Sequence, residues 1–265
     1  MKQKVHSYIY LLLFIGLNTS SFATDIPADS LINKYIKAIG GVENWEKIKT
    51  IRILKHSNFS TDNLLLWSNT ELVRDKGMQI ASYINEGVPT IKAINNEEGW
   101  KIVNGHRDMN TKEEILWHSG QSSQISTLPD STYQELKFIS SIPWKLFDVA
   151  KHNIRLSYKG TIEINDEVFE QLDVKMKGMK AISCFFSTKD AYLEKVLIGR
   201  KLITFSDFKV VEGVVFPFRE SIRFIKNKSS LSRYEVTRIS TIDFITDKVI
   251  LNPKIANENM VKPTN

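Results

Sequence analysis

The first regular pattern in the sequence is a set of apolar residues at helical spacing. Five of them recur every three or four positions, which predicts a helix that starts near Asp29-Ser30 and buries one face. They are Leu31, Ile32, Tyr35, Ile36 and Ile39. Gly40-Gly41 ends the pattern, because glycine suits the left-handed conformation at a helix terminus. A short second helix is predicted to follow and to place Trp45 and Ile48 in the core.

From residue 50 the spacing of the apolar residues changes from helical to alternating. Ile51, Ile53 and Phe59 fall on one side of a predicted strand, and a short polar turn separates this strand from the next. Connections this short join antiparallel neighbours, so the pattern predicts a meander of hairpins. Its further strands are predicted at 64–74, 78–85, 90–95 and 100–104.

A helical region interrupts the strands. Thr111-Lys112-Glu113-Glu114 has the pattern of a helix start, and helical spacing continues over 133–139 and 143–150. Trp117, Trp144 and Phe147 give these helices apolar faces. An apolar helix face needs a partner layer, so we expect the helices to cover one side of the sheet.

A second run of strands follows, and its alternation is clearer. Apolar residues alternate with polar ones from Val168 to Met176, and Phe216 to Phe224 shows the same period. Strands are predicted at 154–164, 168–176, 181–187, 193–198, 201–211, 216–224 and 233–245. The chain is therefore predicted to be mainly β with helices, an α+β protein of about ten antiparallel strands. A sheet of that size must curl, close or split to protect its edges.

The N-terminal segment predicts export. Lys2 and Lys4 precede an apolar run over 8–17, and Ser21-Phe22-Ala23 offers small residues at a cleavage point. We expect a signal peptide at 1–23 and a single domain over 24–265; an uncleaved anchor is the alternative. The apolar run is shorter than the roughly 20 residues that a transmembrane helix needs, and no later run is longer. The mature chain is thus expected to have no transmembrane segment.

Composition narrows the environment and the partners. Cys184 is the one cysteine, and its apolar neighbours indicate a buried thiol, so the fold must rest on a core without disulfides. Thr24, rather than cysteine, follows the expected cleavage point, which argues against a lipid anchor. The formal net charge is +6, and loss of Lys2 and Lys4 leaves +4. Basic residues are spread among acidic ones, so we expect no nucleic-acid partner.

Catalytic and metal motifs are incomplete. His106-Arg107-Asp108 matches the triplet of a kinase catalytic loop, but the other parts that phosphoryl transfer requires do not accompany it. Glu114 and His118 lie one helical turn apart, yet two ligands make a weak metal site. No serine lies in a Gly-x-Ser-x-Gly elbow. We therefore expect no enzyme activity, no catalytic residue, no cofactor and no metal.

Large apolar side chains on the predicted strands are the most unusual feature. As a set they suit a curved sheet around an apolar pocket, although core packing is the alternative for each of them. The candidates for contact with a hydrophobic ligand are Trp67, Tyr83, Trp100, Leu172, Met176, Phe216, Phe218 and Phe224.

Four stretches, taken in order, resemble the bacterial outer-membrane lipoprotein-sorting (LolA-like) family. They are YIKAIGGVENWEKIKTI at 35–51, NEEGWKIVNG at 96–105, FSDFKVVEGVVFPF at 205–218 and VILNP at 249–253. The resemblance implies a strongly curved, half-open antiparallel barrel whose concave side is covered by helices and holds acyl chains. It also implies that Trp100 ends a family turn and that Arg74 is a candidate basic switch for cargo release.

The predicted function is a non-catalytic periplasmic carrier or binding protein for a lipid or for lipoprotein acyl chains. Secretion is the alternative location. Two other functions stay open: an envelope protein that binds a protein partner or acts as a sensor on the same scaffold, and an unrecognised hydrolase, because a fold does not determine function.

Overall fold

The computed structural model describes residues 28–59, 64–84, 90–103, 124–140, 142, 144–147, 153–225, 241–255 and 260–262. Within these ranges it contains four helices and thirteen strands. The helices are α1 (Ala28–Ala38), α2 (Val42–Glu46), α3 (Asp130–Ile139) and α4 (Trp144–Phe147).

The strands form two antiparallel runs along the chain. The first run is β1 (Thr50–Phe59), β2 (Leu64–Val73), β3 (Gly77–Ile84), β4 (Thr90–Asn95), β5 (Gly99–Val103) and β6 (Gln124–Thr127). The second is β7 (Arg155–Ile164), β8 (Glu167–Lys175), β9 (Ile182–Ser187), β10 (Leu193–Ile198), β11 (Lys201–Val211), β12 (Val214–Phe224) and β13 (Ile242–Leu251).

All thirteen strands belong to one sheet, and its order explains the place of the helices. The order is β6-β5-β4-β3-β2-β1-β13-β12-β11-β10-β9-β8-β7, so β1 pairs with β13 in the middle. The strands β6 and β7 are sequential neighbours but lie at opposite edges of the sheet. The chain between them contains α3 and α4, so these helices belong to the connection from one edge to the other.

One face of the sheet, here called the helix face, carries the main core. Residues of α1 to α4 pack there against alternate residues of the strands, among them Ile51 of β1, Met78 of β3 and Leu172 of β8. Aromatic rings fill the space between the layers. The Tyr35 and Phe186 rings are 5.3 Å apart, and the Trp45 ring lies 5.2 Å from Phe216 and 5.8 Å from Trp144. The predicted position of the helices on one side of the sheet is confirmed.

The sheet is curved toward the helix face. Helix α3 contacts β3 and β4, while its residue Glu135 forms an ion pair with Lys201 of β11. In a flat sheet β4 and β11 would lie about 29 Å apart, six strand spacings. One helix about 10 Å wide reaches both strands only if the sheet curls around it. The helix face is therefore the concave face.

The opposite, convex face also buries apolar residues, in two smaller clusters. One cluster lies on β3 to β6 and includes Trp100, which has no exposed surface. The other lies on β7 to β11 and includes Phe169 and Phe185. Between them, Arg52 forms a buried ion pair with Glu71 at 2.8 Å, and Gln79 donates a hydrogen bond to the same carboxylate. The sheet thus has apolar packing on both faces.

Several sequence predictions need correction in detail. The strand count is thirteen rather than about ten. Twelve of the strands correspond to stretches that alternation predicts, and β6 (Gln124–Thr127) lies within the region that helical spacing dominated. The last strand is described over Ile242–Leu251 and so continues past the predicted end at residue 245, since Val249 and Leu251 pair with Ile53 and Ile51. Residues 233–240 of that prediction lie outside the described residues. The expected helix start at Thr111 and the signal peptide lie outside the described residues.

The paired glycines after α1 lock the helix to the opposite half of the chain. A Cβ at Gly40 would lie 2.3 Å from the carbonyl oxygen of Gly213 in the β11–β12 turn. The Val215 amide donates to the Ile39 carbonyl at 3.0 Å, and the Asn44 side chain donates to the Gly40 carbonyl at 2.9 Å. The turn between β11 and β12 therefore sits directly on the end of α1.

This contact predicts different costs for two neighbouring substitutions. Gly40→Ala should lower the free energy of unfolding by more than about 3 kcal/mol, because it combines a positive φ with a backbone clash. Gly41→Ala is the matched control: φ is also positive, but no atom lies within 4 Å of the added Cβ. Gly41 has φ 80° and ψ 159°, a conformation that residues other than glycine rarely adopt, so the control should cost about 1–3 kcal/mol from backbone strain alone. Urea denaturation measures both values, and equal losses would contradict the close approach.

Candidate functional site

Among the described residues, one part of the helix face is incompletely filled. Ile203 in this part is buried, but most of its apolar side chains are half-buried, and Phe224 is 42 % exposed. We call this part the distal helix face. Its half-buried or exposed apolar members include Leu66, Ile80, Phe205, Ile222, Phe224 and Phe244. They come from both halves of the curved sheet, so they surround a common concave space.

The strand register places these residues on one side. Ile80 of β3 pairs with Lys92 of β4 and packs on the edge of the main core. Across the sheet, Phe205 pairs with Glu220, and Glu220 pairs with Phe244. Strand residues two apart point to the same face, so Ile222 and Phe224 continue the row that begins at Phe216 and Phe218. The sequence prediction that these four residues share a face is confirmed by the pairing.

Three lysines lie on the distal helix face beside the apolar residues. Lys92 and Lys101 pair directly across β4 and β5, and Lys201 lies on β11. We call these three residues the lysine cluster. Lys201 pairs with Glu135 of α3, whereas Lys92 and Lys101 form no ion pair within the described part of the chain.

The surroundings of Lys92 indicate a recess rather than a flat surface. Its side chain is exposed, yet burial by the surrounding protein lowers the pKa of Lys92, and the charges of Lys201 and Lys101 lower it further. Glu135 acts in the opposite direction. The geometry agrees, because α3 contacts β4 and pairs through Glu135 with Lys201, which brings β11 close to β4 across the concave face.

A second ion pair crosses the concave face. Lys55 of β1 donates to Glu220 of β12 at 2.5 Å, and both side chains are mostly buried. The strand β13 lies between these two strands, so the pair passes over its helix-face side chains. This contact joins the two halves of the sheet at its centre, next to Phe205 and Phe244.

The candidates that the sequence analysis named divide between the two faces. Leu172, Met176 and Phe216 lie on the helix face but are buried in the main core. Phe218 is half-buried, with the Lys209 ammonium 4.6 Å from its ring centre. Phe224 belongs to the distal helix face. Of the five helix-face candidates, Phe224 and Phe218 are therefore the ones with accessible surface.

The remaining candidates lie elsewhere. Trp67 and Trp100 are on the convex face, where the Trp67 ring lies 5.5 Å from His56 and Trp100 is fully buried. Tyr83 occupies the register position opposite Trp67. Arg74 follows the end of β2 and donates to the Glu46 carbonyl at 3.2 Å. The structure does not bring the predicted set together around one pocket.

A separate cavity of about 280 Å³ lies at the other end of the helix face. Its walls are the turn after β2, the turn after β4 and the ends of α3 and α4. It is lined by Val73, Asp75, Lys76, Gly77, Ile94, Asn95, Asn96, Lys137, Ser140 and Trp144. Its lining is mainly polar, so it does not match the apolar cavity that the sequence analysis expected.

The described residues contain no group of three metal-ligating side chains. His106, Glu114 and His118, which the sequence analysis weighed, lie outside the described residues. Cys184 is fully buried, as predicted, and burial raises the pKa of its thiol strongly. A thiol held in the protonated form is a poor nucleophile.

A known structure shares this architecture. A LolA superfamily protein from Nitrosomonas europaea matches 89 % of this chain and 97 % of its own, with 13 % sequence identity and a TM-score of 0.51. The chain has a LolA-like fold. A structure described as an outer membrane lipoprotein-sorting protein domain, from Vibrio parahaemolyticus, matches 87 % of this chain and 97 % of its own. Its sequence identity is 8 % and its TM-score is 0.49. A DUF1329 family protein from Desulfovibrio piger matches 88 % of this chain and 97 % of its own, with 7 % sequence identity and a TM-score of 0.44.

The sequence gives no comparable match. No protein-family model matches it, and a search of curated proteins finds no significant relative. The resemblance to the LolA-like family that the four stretches predicted is thus confirmed at the level of the fold. Among the described residues, no helix is long and apolar enough to cross a membrane.

Sequence reasoning missed the lysine cluster of this LolA-like fold. Lys92 and Lys101 are nine positions apart in separate strands, and Lys201 is in the other half of the chain. The sequence contains a weak signal, because Lys92 interrupts the otherwise apolar centre of Thr90–Asn95. Their meeting, however, depends on the β4–β5 register and on the curvature of the sheet.

The lowered pKa of Lys92 predicts a stability effect. The folded protein holds the Lys92 proton less tightly than the unfolded chain, so the charged side chain destabilises the fold below the ordinary lysine pKa of 10.5. Lys92→Met should therefore raise Tm at neutral pH by a small amount, on the order of 1–2 °C. The gain should shrink as the pH rises toward 10.5, where both states lose the proton.

Differential scanning calorimetry measures this effect, with Lys159→Met as the control. Lys159 is exposed on β7, so its replacement should leave Tm nearly unchanged. A lower Tm for Lys92→Met at neutral pH would contradict the assignment of Lys92 to a desolvated recess.

Proposed function

We propose that this protein is an exported, non-catalytic carrier or binding protein for a hydrophobic ligand, either lipoprotein acyl chains or another lipid, and that it acts in the periplasm. The ligand chain binds on the distal helix face. The observation that carries the proposal is the set of half-buried apolar side chains on a concave surface, in a chain with a LolA-like fold.

Hydrophobic burial supplies the affinity in this proposal. Each methylene group of an acyl chain that leaves water for an apolar surface contributes about 0.8 kcal/mol. Leu66, Ile80, Phe205, Ile222 and Phe244 offer such a surface from five strands. The expected ligand is one or two acyl chains rather than a folded protein, because the curved sheet limits access to the face from the sides.

Phe224 tests the place of binding. Phe224→Ser should weaken the binding of laurate by about tenfold, because the ring contributes apolar contact at the open end of the face. Ile245→Ser is the matched control, since Ile245 has nearly the same exposure (40 % against 42 %) but pairs on the convex face. Isothermal titration calorimetry of the two variants and the wild type measures the effect. Equal losses in both variants would place the ligand elsewhere.

Native mass spectrometry of protein purified from the envelope fraction tests the proposal as a whole. The expected result is a bound lipid that organic extraction releases and identifies. Protein that is empty on purification and also ignores added laurate and a synthetic lipopeptide would contradict the proposal.

A partner-binding or sensor function on the same scaffold is the second candidate. It is favoured by the filling of the main core, where Tyr35, Trp45, Trp144 and Phe216 occupy the space between α1, α2, α4 and the sheet. If the chain proves empty of lipid, affinity capture from envelope extract with the intact mature protein tests this second function. A specific, saturable protein partner would support it.

A further inference from the structure

Two of the lysines on the distal helix face are arranged at a cost to the fold. Lys92 and Lys101 are directly opposite each other in the β4–β5 ladder, where side chains lie about 5 Å apart. Like charges in that position repel and destabilise a sheet. Within the described residues neither forms an ion pair, and Glu135, the nearby acid that favours the charged form of Lys92, is paired with Lys201. Two like charges in this position suit a ligand that brings the opposite charge.

The third lysine extends the positive charge across the concave space. Lys201 comes from the other half of the sheet and is close enough to influence the ionisation of Lys92. Glu135 of α3 neutralises one of the three charges. The lysine cluster with Glu135 therefore keeps a formal charge of +2 on the concave face.

Apolar side chains adjoin each end of the lysine cluster. Ile80 pairs with Lys92 on one side of the recess, and Phe224 and Ile198 pair with Lys201 on the other. The same concave surface thus offers a positive site and an apolar track that leads away from it. This juxtaposition matches the two parts of an amphiphile with an anionic head and a hydrocarbon tail.

We propose that the distal helix face selects anionic amphiphiles, with a carboxylate or phosphate head on Lys92, Lys101 and Lys201 and the alkyl chain on the adjoining apolar residues. The inference rests on the proposed function and deepens it by naming the ligand class. Neutral lipids of the same chain length bind more weakly, because they leave the lysine charges unpaired in the recess.

Three ligands with the same acyl or alkyl length separate the contribution of the charged head group from that of the chain. They are laurate, lauryl phosphate and neutral 1-lauroylglycerol. Isothermal titration calorimetry on the full mature protein at neutral pH and low salt should show the two anions binding about tenfold tighter than the neutral lipid. The preference should fall as salt is added, because ions screen the lysine charges. Acetate and inorganic phosphate should not compete, since they lack the chain.

Variants assign the preference to the lysine cluster. In the double variant Lys92→Gln/Lys101→Gln, the affinity for laurate should fall to that for 1-lauroylglycerol. The matched control is Lys159→Gln/Lys180→Gln, which removes the same charge from exposed positions outside the cluster and should keep the preference. The preference should also weaken as the pH rises, at a lower pH than the ordinary lysine pKa of 10.5 predicts, because the pKa of Lys92 is lowered. Lys101, Lys201 and Glu135 are the charged groups that face Lys92.

The outcomes separate this inference from the proposed function. Equal binding of anionic and neutral lipids, or a preference that survives the double variant, would overturn the selection of anions and leave lipid binding intact. Binding of none of the three ligands would overturn both. Competition by acetate or inorganic phosphate at similar affinity would show a site for free anions and would also overturn the inference.

Discussion

The contact on which the architecture depends is the one that α3 makes with both halves of a very long sheet. Thirteen strands in a single antiparallel sheet leave two edges and two wide faces to protect. One short helix contacts β3 and β4 and, through Glu135 and Lys201, also reaches β11. Such a bridge holds only if the sheet curls, and the curl creates the concave face on which the main core and the candidate site lie. The Lys55–Glu220 pair and the packing of Gly40 against the β11–β12 turn join the same two halves at other points.

The concave face has two regions with different physical character. Near α1 and α2 it is a filled core of aromatic rings, whose polar atoms are used: the Trp45 indole donates to the Ile39 carbonyl, and the Trp144 indole donates to the Trp45 carbonyl. Farther along the strands, the apolar side chains are half-buried and three lysines accompany them. Folding alone does not favour two lysines opposite each other beside isoleucine. This departure from the pattern of a stable core is the reason why we propose the distal helix face as the binding site.

Particular residues show why sequence reasoning reached some features and not others. The α1 stripe, the Trp45 and Ile48 positions and the row from Phe216 to Phe224 follow from periodicity, because helix and strand geometry fix which residues share a face. The buried state of Cys184 follows from its apolar neighbours. By contrast, Trp67 and Trp100 were grouped with Phe218 and Phe224 on composition, whereas the pairing puts them on the convex face. Alternation within one strand says nothing about which of the two faces becomes concave, and here both faces bury apolar residues.

The sequence by itself determined the class of fold, since short polar turns between alternating stretches permit antiparallel hairpins and an apolar helix stripe requires a sheet to cover. It also determined, through four stretches in order, the resemblance to a LolA-like architecture that the structure shares. The tertiary structure alone decided the placement of β1 beside β13, the direction of the curvature and the meeting of Lys92, Lys101 and Lys201. These features depend on contacts between separate strands and helices, and the energy of such contacts is set by packing and register rather than by local pattern.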